Sequence, residues 1–173
     1  MKLDVDTALC KRARLPHELF MLNLALFHLL MTPASIALDV GVWGLLLPLS
    51  LSLSVMLYTW LRSRALERSG EPWFLRLHWR LALGRYRMLL IAYGVALGLF
   101  GVGTLLSLGS SDPHMQQILQ TVFIRIAIMP VLIMVMINFY LESNAINQAS
   151  GGELPDGLVA RYPEANLEES AVG

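Results

Sequence analysis

MLLIAYGVALGLFGVGTLL, residues 88–106, contains no charged side chain and only two polar ones, Tyr93 and Thr104. A helix of about 20 apolar residues spans the roughly 30 Å hydrocarbon core of a bilayer. The stretch therefore predicts a transmembrane helix. Three further runs of similar length, none of which contains Asp or Glu, predict the other spans: 20–38, 42–61 and 118–141.

The composition of the whole chain agrees with a membrane protein. Of its 173 residues, 55% are hydrophobic and 15% are charged, whereas about 25% of the residues in a soluble domain are charged. The first apolar run also resembles the core of a signal peptide, because it contains Pro33 followed by the small residues Ser35 and Ala37. We expect this run to be retained as an uncleaved first span.

Short connections join the predicted spans in pairs. Residues 39–41 separate the first two spans, and GSSDPHMQ, residues 109–116, separates the last two. Asp112-Pro113 is a turn signal at the centre of the second connection. The chain is therefore predicted to be an all-α integral membrane protein with four transmembrane helices arranged as two antiparallel hairpins.

Basic residues are distributed unequally along the chain. Twelve of the thirteen lysines and arginines lie before the first span, in the 62–87 loop or in the tail, and the two short connections have none. Because basic residues concentrate on the cytoplasmic side, both termini and this loop are predicted to be cytoplasmic. The predicted domains are an N-terminal cytoplasmic segment, 1–19, a transmembrane region with the loop, 20–142, and an acidic cytoplasmic tail, 143–173. Arginine outnumbers lysine eleven to two, which favours a GC-rich bacterial genome and the bacterial inner membrane.

The cytoplasmic loop has an amphipathic pattern after Pro72, which is a favourable residue at the start of a helix. The apolar face comprises Phe74, Leu77 and Leu81. The basic cytoplasmic surface comprises Arg76, Arg80, Arg85 and Arg87. The aromatic residues of the loop, which suit the lipid headgroup zone, are Trp73, Trp79 and Tyr86. We predict a basic amphipathic helix on the inner leaflet that binds anionic lipids; the alternative is a surface for a specific partner.

The tail is polar and acidic. It carries a net charge of −4, and the loop on the same predicted side of the membrane carries +5. These opposite charges leave three alternatives open. The tail folds back on the loop, both segments bind partners of opposite charge, or the tail is free and solvated.

Small residues form a stripe in the third span. Gly94, Gly98 and Gly101 share one helical face, and Ser50 and Ser54 repeat the spacing in the second span. Small residues at this spacing let a second helix approach closely. We predict a helix-packing interface, inside the bundle or with another subunit. A lining for a substrate path is the alternative.

Arg125 is a charged residue inside the fourth span. Counted from residue 118, it lies about 10 Å below the outer boundary at 1.5 Å per residue, so its side chain can extend to the outer surface. Asp39 and Asp112 are predicted on that same side and are possible ion-pair partners. A contact with another subunit and a role in ligand binding or transport are the alternatives.

Three further polar residues lie within the predicted spans. His28 is predicted to make a structural hydrogen bond, with a role in proton transfer, ligand binding or haem binding as alternatives. The amides of Asn23 and Asn138 are predicted to pair across helices. A haem held between His17 and His78 is a further possibility, since both residues are predicted at the cytoplasmic edge.

Signatures of chemistry are absent from the sequence. It has no P-loop, no zinc-protease motif, no nucleophile elbow and no paired intramembrane carboxylates. Its single cysteine, Cys10, excludes an internal disulfide and a multi-cysteine metal site. We therefore expect no enzymatic activity, no catalytic residue, no metal, no cofactor and no nucleic-acid partner.

These observations favour a small, non-catalytic subunit of a larger secretion, transport or respiratory assembly in the membrane. Its expected partners are other membrane subunits, in a homo- or hetero-oligomer. The first alternative is a small oligomeric transporter or channel that uses Arg125 and His28. The second is a haem-binding membrane anchor.

Overall fold

A computed structural model of the chain describes residues 1–38 and 40–164, with the backbone alone at residues 36, 41–43 and 45. The described residues form helices joined by short turns and contain no strand. The helices are α1 (Thr7–Leu22), a π-helix (Asn23–Met31), α2 (Thr32–Ala37), α3 (Gly41–Arg68), α4 (Trp73–Leu108), α5 (Pro113–Ser150) and α6 (Asp156–Arg161).

Within the described residues, three helical stretches are long and apolar enough to cross a membrane: Thr7–Ser35, Trp73–Leu108 and Pro113–Ser150. This confirms the predicted helical class and agrees with an integral membrane protein. The second predicted span lies in the 28-residue helix α3, which is not among these three. The second predicted span, 42–61, and the orientation of the chain stay predictions.

The chain divides into two compact units. The first comprises Met1–Gly84 and Phe139–Gly173, and the second comprises Arg85–Asn138. The boundaries between the units fall inside α4 and inside α5, so each of these helices has one part in the first unit and one part in the second. In the first unit, α3 packs against the π-helix and α2, and the hydroxyl of Ser35 donates a hydrogen bond to the carbonyl of Gly44 at 3.0 Å.

The apolar core of the first unit contains the beginning of α4. Its members are Ala13, Leu66, Trp73, Phe74, Leu75, Leu77, Trp79, Ala149 and Leu154. A separate amphipathic helix on the membrane surface is not confirmed, because α4 runs without a break from Trp73 to Leu108. Trp73 and Trp79, predicted for the headgroup zone, are buried in this core, and the Trp79 ring meets the Tyr58 ring of α3 with the centroids 6.4 Å apart.

The described part of the tail folds back onto the first unit. Helix α5 continues to Ser150, and an isolated antiparallel bridge then joins Lys2 to Glu153. Gly152 permits this contact: it has a φ of 70°, and an added Cβ would lie 2.8 Å from the carbonyl oxygen of Leu3. Beyond α6, the carbonyl of Tyr162 accepts a hydrogen bond from the Trp73 indole at 3.0 Å.

The second unit is a hairpin made of the later part of α4 and the earlier part of α5. The Asp112 carboxylate accepts a hydrogen bond from the amide of His114 at 2.9 Å and so caps α5. Pro113 occupies the first helical position, where its missing N–H costs nothing. Lower in the hairpin, Gly103 packs directly against the side chain of Phe123.

Gly103→Ala is expected to destabilise the hairpin by about 1–3 kcal/mol, because the added Cβ would overlap the Phe123 side chain. Gly98→Ala is the matched control, since no heavy atom lies within 4 Å of the position of its Cβ. Thermal unfolding in detergent compares the two variants. Equal melting temperatures would contradict the close contact.

Candidate functional site

Three ionisable side chains from three helices meet inside the first unit. They are His17 of α1, His78 of α4 and Glu142 of α5, and each is 0% exposed. His17 Nδ1 lies 2.6 Å from Glu142 Oε2, and His17 Nε2 lies 3.0 Å from His78 Nδ1. We call this chain of hydrogen bonds the relay.

The chemistry of the carboxylate determines the direction of the hydrogen bonds in the relay. An ionised Glu142 can only accept, so the Nδ1–H of His17 donates to it. When His17 is neutral, its Nε2 is an acceptor and the Nδ1–H of His78 donates. When His17 is protonated, it donates from both nitrogens. These assignments follow from the hydrogen-bond partners.

The hydrogen bonds of the relay are therefore satisfied with either a neutral or a protonated His17. In both cases His17 lies between its two partners, Glu142 and His78. The packing around His78 is tight. The rings of His17 and His78 meet edge to face with centroids 5.2 Å apart, and Phe74 packs against His78 at 4.7 Å.

Each relay residue occupies a core position of its helix. His17 continues a buried stripe with Ala13 and Phe20 of α1 and Leu24 of the π-helix, which recurs at the helical period. In α5, Glu142 lies on the same buried face as Ala145 and Ala149. The alanines leave room beside a carboxylate, and this pattern is the signal by which the sequence could have indicated Glu142.

The sequence predictions did not include the relay as a unit. In the sequence analysis, His17 and His78 are named only as possible haem ligands, and Glu142 is the last residue of the predicted transmembrane region. A haem iron held between two histidines lies about 2.0 Å from each nitrogen, with the nitrogens on opposite sides of it and therefore about 4 Å apart. The observed 3.0 Å is a hydrogen-bond distance. Among the described residues, no group of three or more His, Cys, Asp or Glu side chains could hold a metal ion.

His28 and Asn23 both belong to the π-helix. His28 Nδ1 lies 3.2 Å from the Asn23 carbonyl oxygen, five residues back along the helix, and this contact agrees with the predicted structural hydrogen bond. Asn23 is 0% exposed, and its side-chain amide finds no hydrogen-bond partner among the described residues. Asn138 donates to the Met134 carbonyl of its own helix at 3.0 Å.

Arg125 is exposed on α5. Within the described residues no carboxylate lies within ion-pair distance of it. Asp39, one of its predicted partners, lies outside the described residues, and the carboxylate of Asp112, the other, caps α5. A contact between Arg125 and another subunit stays a prediction.

The predicted packing glycines are open in the described chain. No heavy atom lies within 4 Å of the position that a Cβ would take at Gly94, Gly98 or Gly101. Ser50 and Ser54 are exposed and donate to carbonyls of their own helix, Ser54 to that of Ser50 at 2.8 Å. The close approach between α4 and α5 occurs at Gly103 instead.

The arginines of the predicted basic surface differ in their surroundings. Arg80 Nε pairs with Glu67 Oε1 at 2.8 Å, and Arg76 is half-buried. Arg85 is 8% exposed, whereas Arg87 is exposed. They do not form one solvated face.

Comparison with known proteins adds no assignment: no family model, curated protein or solved structure matches this chain. Functional conclusions therefore depend on the residues of the chain itself.

Glu142→Ala is expected to destabilise the protein by about 3–5 kcal/mol, because it leaves His17 without its partner in a buried position. Glu142→Gln keeps an acceptor oxygen and is expected to cost less. Thermal unfolding in detergent, followed by tryptophan fluorescence, measures both.

The control for this prediction is Glu18→Ala. Glu18 forms an exposed pair with Arg14, and exposed pairs contribute about 0–1 kcal/mol. If Glu142→Ala and Glu18→Ala have the same melting temperature, the relay does not stabilise the fold.

Proposed function

We propose that this chain is a small, non-catalytic subunit of a larger assembly in the bacterial inner membrane, and that it contacts its neighbour through the outer face of α4. The proposal includes four spans with both termini in the cytoplasm. The observation that carries it is the open glycine stripe formed by Gly94, Gly98 and Gly101.

The stripe is directed away from the partner helix of the hairpin. Gly103 marks the face of α4 that meets Phe123 of α5. At 3.6 residues per turn, the three stripe glycines lie about 140–180° from Gly103 around the helix. The α4–α5 contact therefore leaves the stripe uncovered.

Exposed leucines lie on the same side of α4 as the stripe. Leu97 and Leu105 are each 71% exposed and Leu108 is 72% exposed. Glycines between such side chains form a shallow groove. In a membrane, where apolar surface alone does not drive association, a groove of this kind favours close packing of a second helix.

Gly98→Leu is expected to disrupt the assembly without lowering the melting temperature of the isolated chain, because the added side chain fills the groove and no heavy atom lies within 4 Å of the position of its Cβ. Thr121→Leu, at an exposed position of α5, adds similar bulk away from the stripe. Chains of both variants, purified in mild detergent, are compared with wild type by light scattering and by mass spectrometry of co-purified subunits.

Loss of the complex in Gly98→Leu and its retention in Thr121→Leu are the expected results. A wild-type chain that is monomeric and free of other subunits in several mild detergents would contradict the proposal.

The relay favours a second candidate, a small proton-linked transporter or channel. In this version Glu142, His17 and His78 transfer the proton, in place of the Arg125 and His28 pair expected from the sequence. A buried chain of groups that can exchange a proton is a recurrent element of such proteins.

In vesicles loaded with a pH-sensitive dye, the second candidate predicts proton flux from the purified wild-type protein. Glu142→Gln is expected to abolish this flux, and Arg125→Ala is expected to retain it. No flux from the wild-type protein, or unchanged flux in Glu142→Gln, would exclude this candidate.

A further inference from the structure

We propose that the first unit binds a phosphate-bearing anion in a pocket between the start of α4 and the residues that follow α6. This site is independent of the proposed docking face and of the relay. The pocket has a volume of about 520 Å³, and its lining includes Trp73, Arg76, Arg80, Arg161, Tyr162 and Glu164. We call it the arginine pocket.

Positive charge dominates the arginine pocket. Three guanidinium groups line it, against one carboxylate, that of Glu164. Arg80 also pairs with Glu67 outside the pocket, which leaves Arg76 and Arg161 as the cations with no ion pair among the described residues. Counted against the Glu164 carboxylate, these two cations leave an excess of one positive charge, which a bound anion would balance.

Arg76 provides the second, independent indication of a ligand. Its Nε is shielded from solvent and has no hydrogen-bond partner among the described residues. A buried N–H donor without an acceptor costs on the order of 1–3 kcal/mol. A rotation of the Arg76 side chain would present this donor to an oxyanion in the pocket, and guanidinium groups bind phosphate oxygens through parallel hydrogen bonds.

Aromatic side chains hold the arginines in place before any ligand arrives. Arg80 lies over the Tyr162 ring with its Cζ 4.6 Å from the ring centroid, and Arg161 lies 5.8 Å from the same centroid. The hydrogen bond from Trp73 to the Tyr162 carbonyl fixes this ring relative to α4. Groups that are already ordered lose little entropy on binding.

We take the anion to be a phosphate group, because it offers more acceptor oxygens than a carboxylate to the guanidinium groups that line the cavity. The pocket is large enough for a phosphate ester. The same phosphate chemistry is available from a phospholipid headgroup and from a soluble phosphate. The experiment separates these two sources.

Full-length protein is purified in an uncharged detergent and titrated with sodium phosphate, with sodium chloride at equal ionic strength as the reference. Tryptophan fluorescence reports binding, since Trp73 lines the pocket. In parallel, the protein is placed in nanodiscs of phosphatidylcholine with and without phosphatidylglycerol, and native mass spectrometry counts the retained anionic lipid.

Saturable binding of phosphate but not chloride is expected if the source is soluble, and selective retention of phosphatidylglycerol is expected if the source is lipid. In either case Arg76→Gln is expected to weaken binding about tenfold, which corresponds to the loss of one charge-assisted contact. Arg161→Gln, at an exposed position, tests the same pocket with little risk to folding, and circular dichroism verifies the helix content of each variant.

Arg68→Gln is the matched control, because Arg68 is exposed on α3 and does not line the pocket. If Arg68→Gln weakens anion binding as much as the two pocket variants do, the attraction is diffuse and the proposed site is wrong. An equal response to chloride and phosphate without lipid selectivity, or no saturable binding in any arm, would also overturn it.

Discussion

The burial of a histidine–carboxylate pair is the constraint on which the first unit depends. His17 and Glu142 are 125 residues apart in the chain and 2.6 Å apart in space. Taking both groups out of water is costly unless each compensates the other. Any arrangement of α1 and α5 that separates them would leave a polar or charged group buried alone. The pair therefore selects one relative position of these helices, and His78 adds α4 to the same arrangement.

The surrounding core explains how a membrane chain can bury such a pair. The N-terminal segment, the beginning of α4 and the tail close around Trp73 and Trp79, whose large apolar surfaces exclude water. The apolar packing supplies the free energy, and the relay supplies the specificity of position. In the second unit, by contrast, the helices of the hairpin approach closely where Gly103 meets Phe123.

Hydropathy and turn signals were sufficient to predict the helical membrane class, because length and apolar content are local properties. The burial of Trp73 and Trp79 was not predictable in this way. In the sequence, aromatic residues beside arginines are as typical of the lipid headgroup zone as of a buried core. Only the distant segments of the chain that cover these residues show that they are buried. Glu142 was missed for a related reason: a carboxylate at the end of an apolar run is usually solvated, and its partner His17 is far away in sequence. The glycine stripe was recognised from its spacing, but spacing alone does not tell which glycine meets a neighbour.

The π-helix in the first membrane-crossing stretch has a geometric consequence. Its backbone hydrogen bonds reach back five residues instead of four, as in the bond from the Thr32 N–H to the Phe27 carbonyl, so each residue turns the chain through a smaller angle than in an α-helix. Residues Asn23–Met31 thus set the rotation about the helix axis between the relay residue His17 and the turn that leads into α3. Removing one residue here would rotate everything beyond it about the helix axis and redirect the whole first hairpin, although the composition of the span would hardly change.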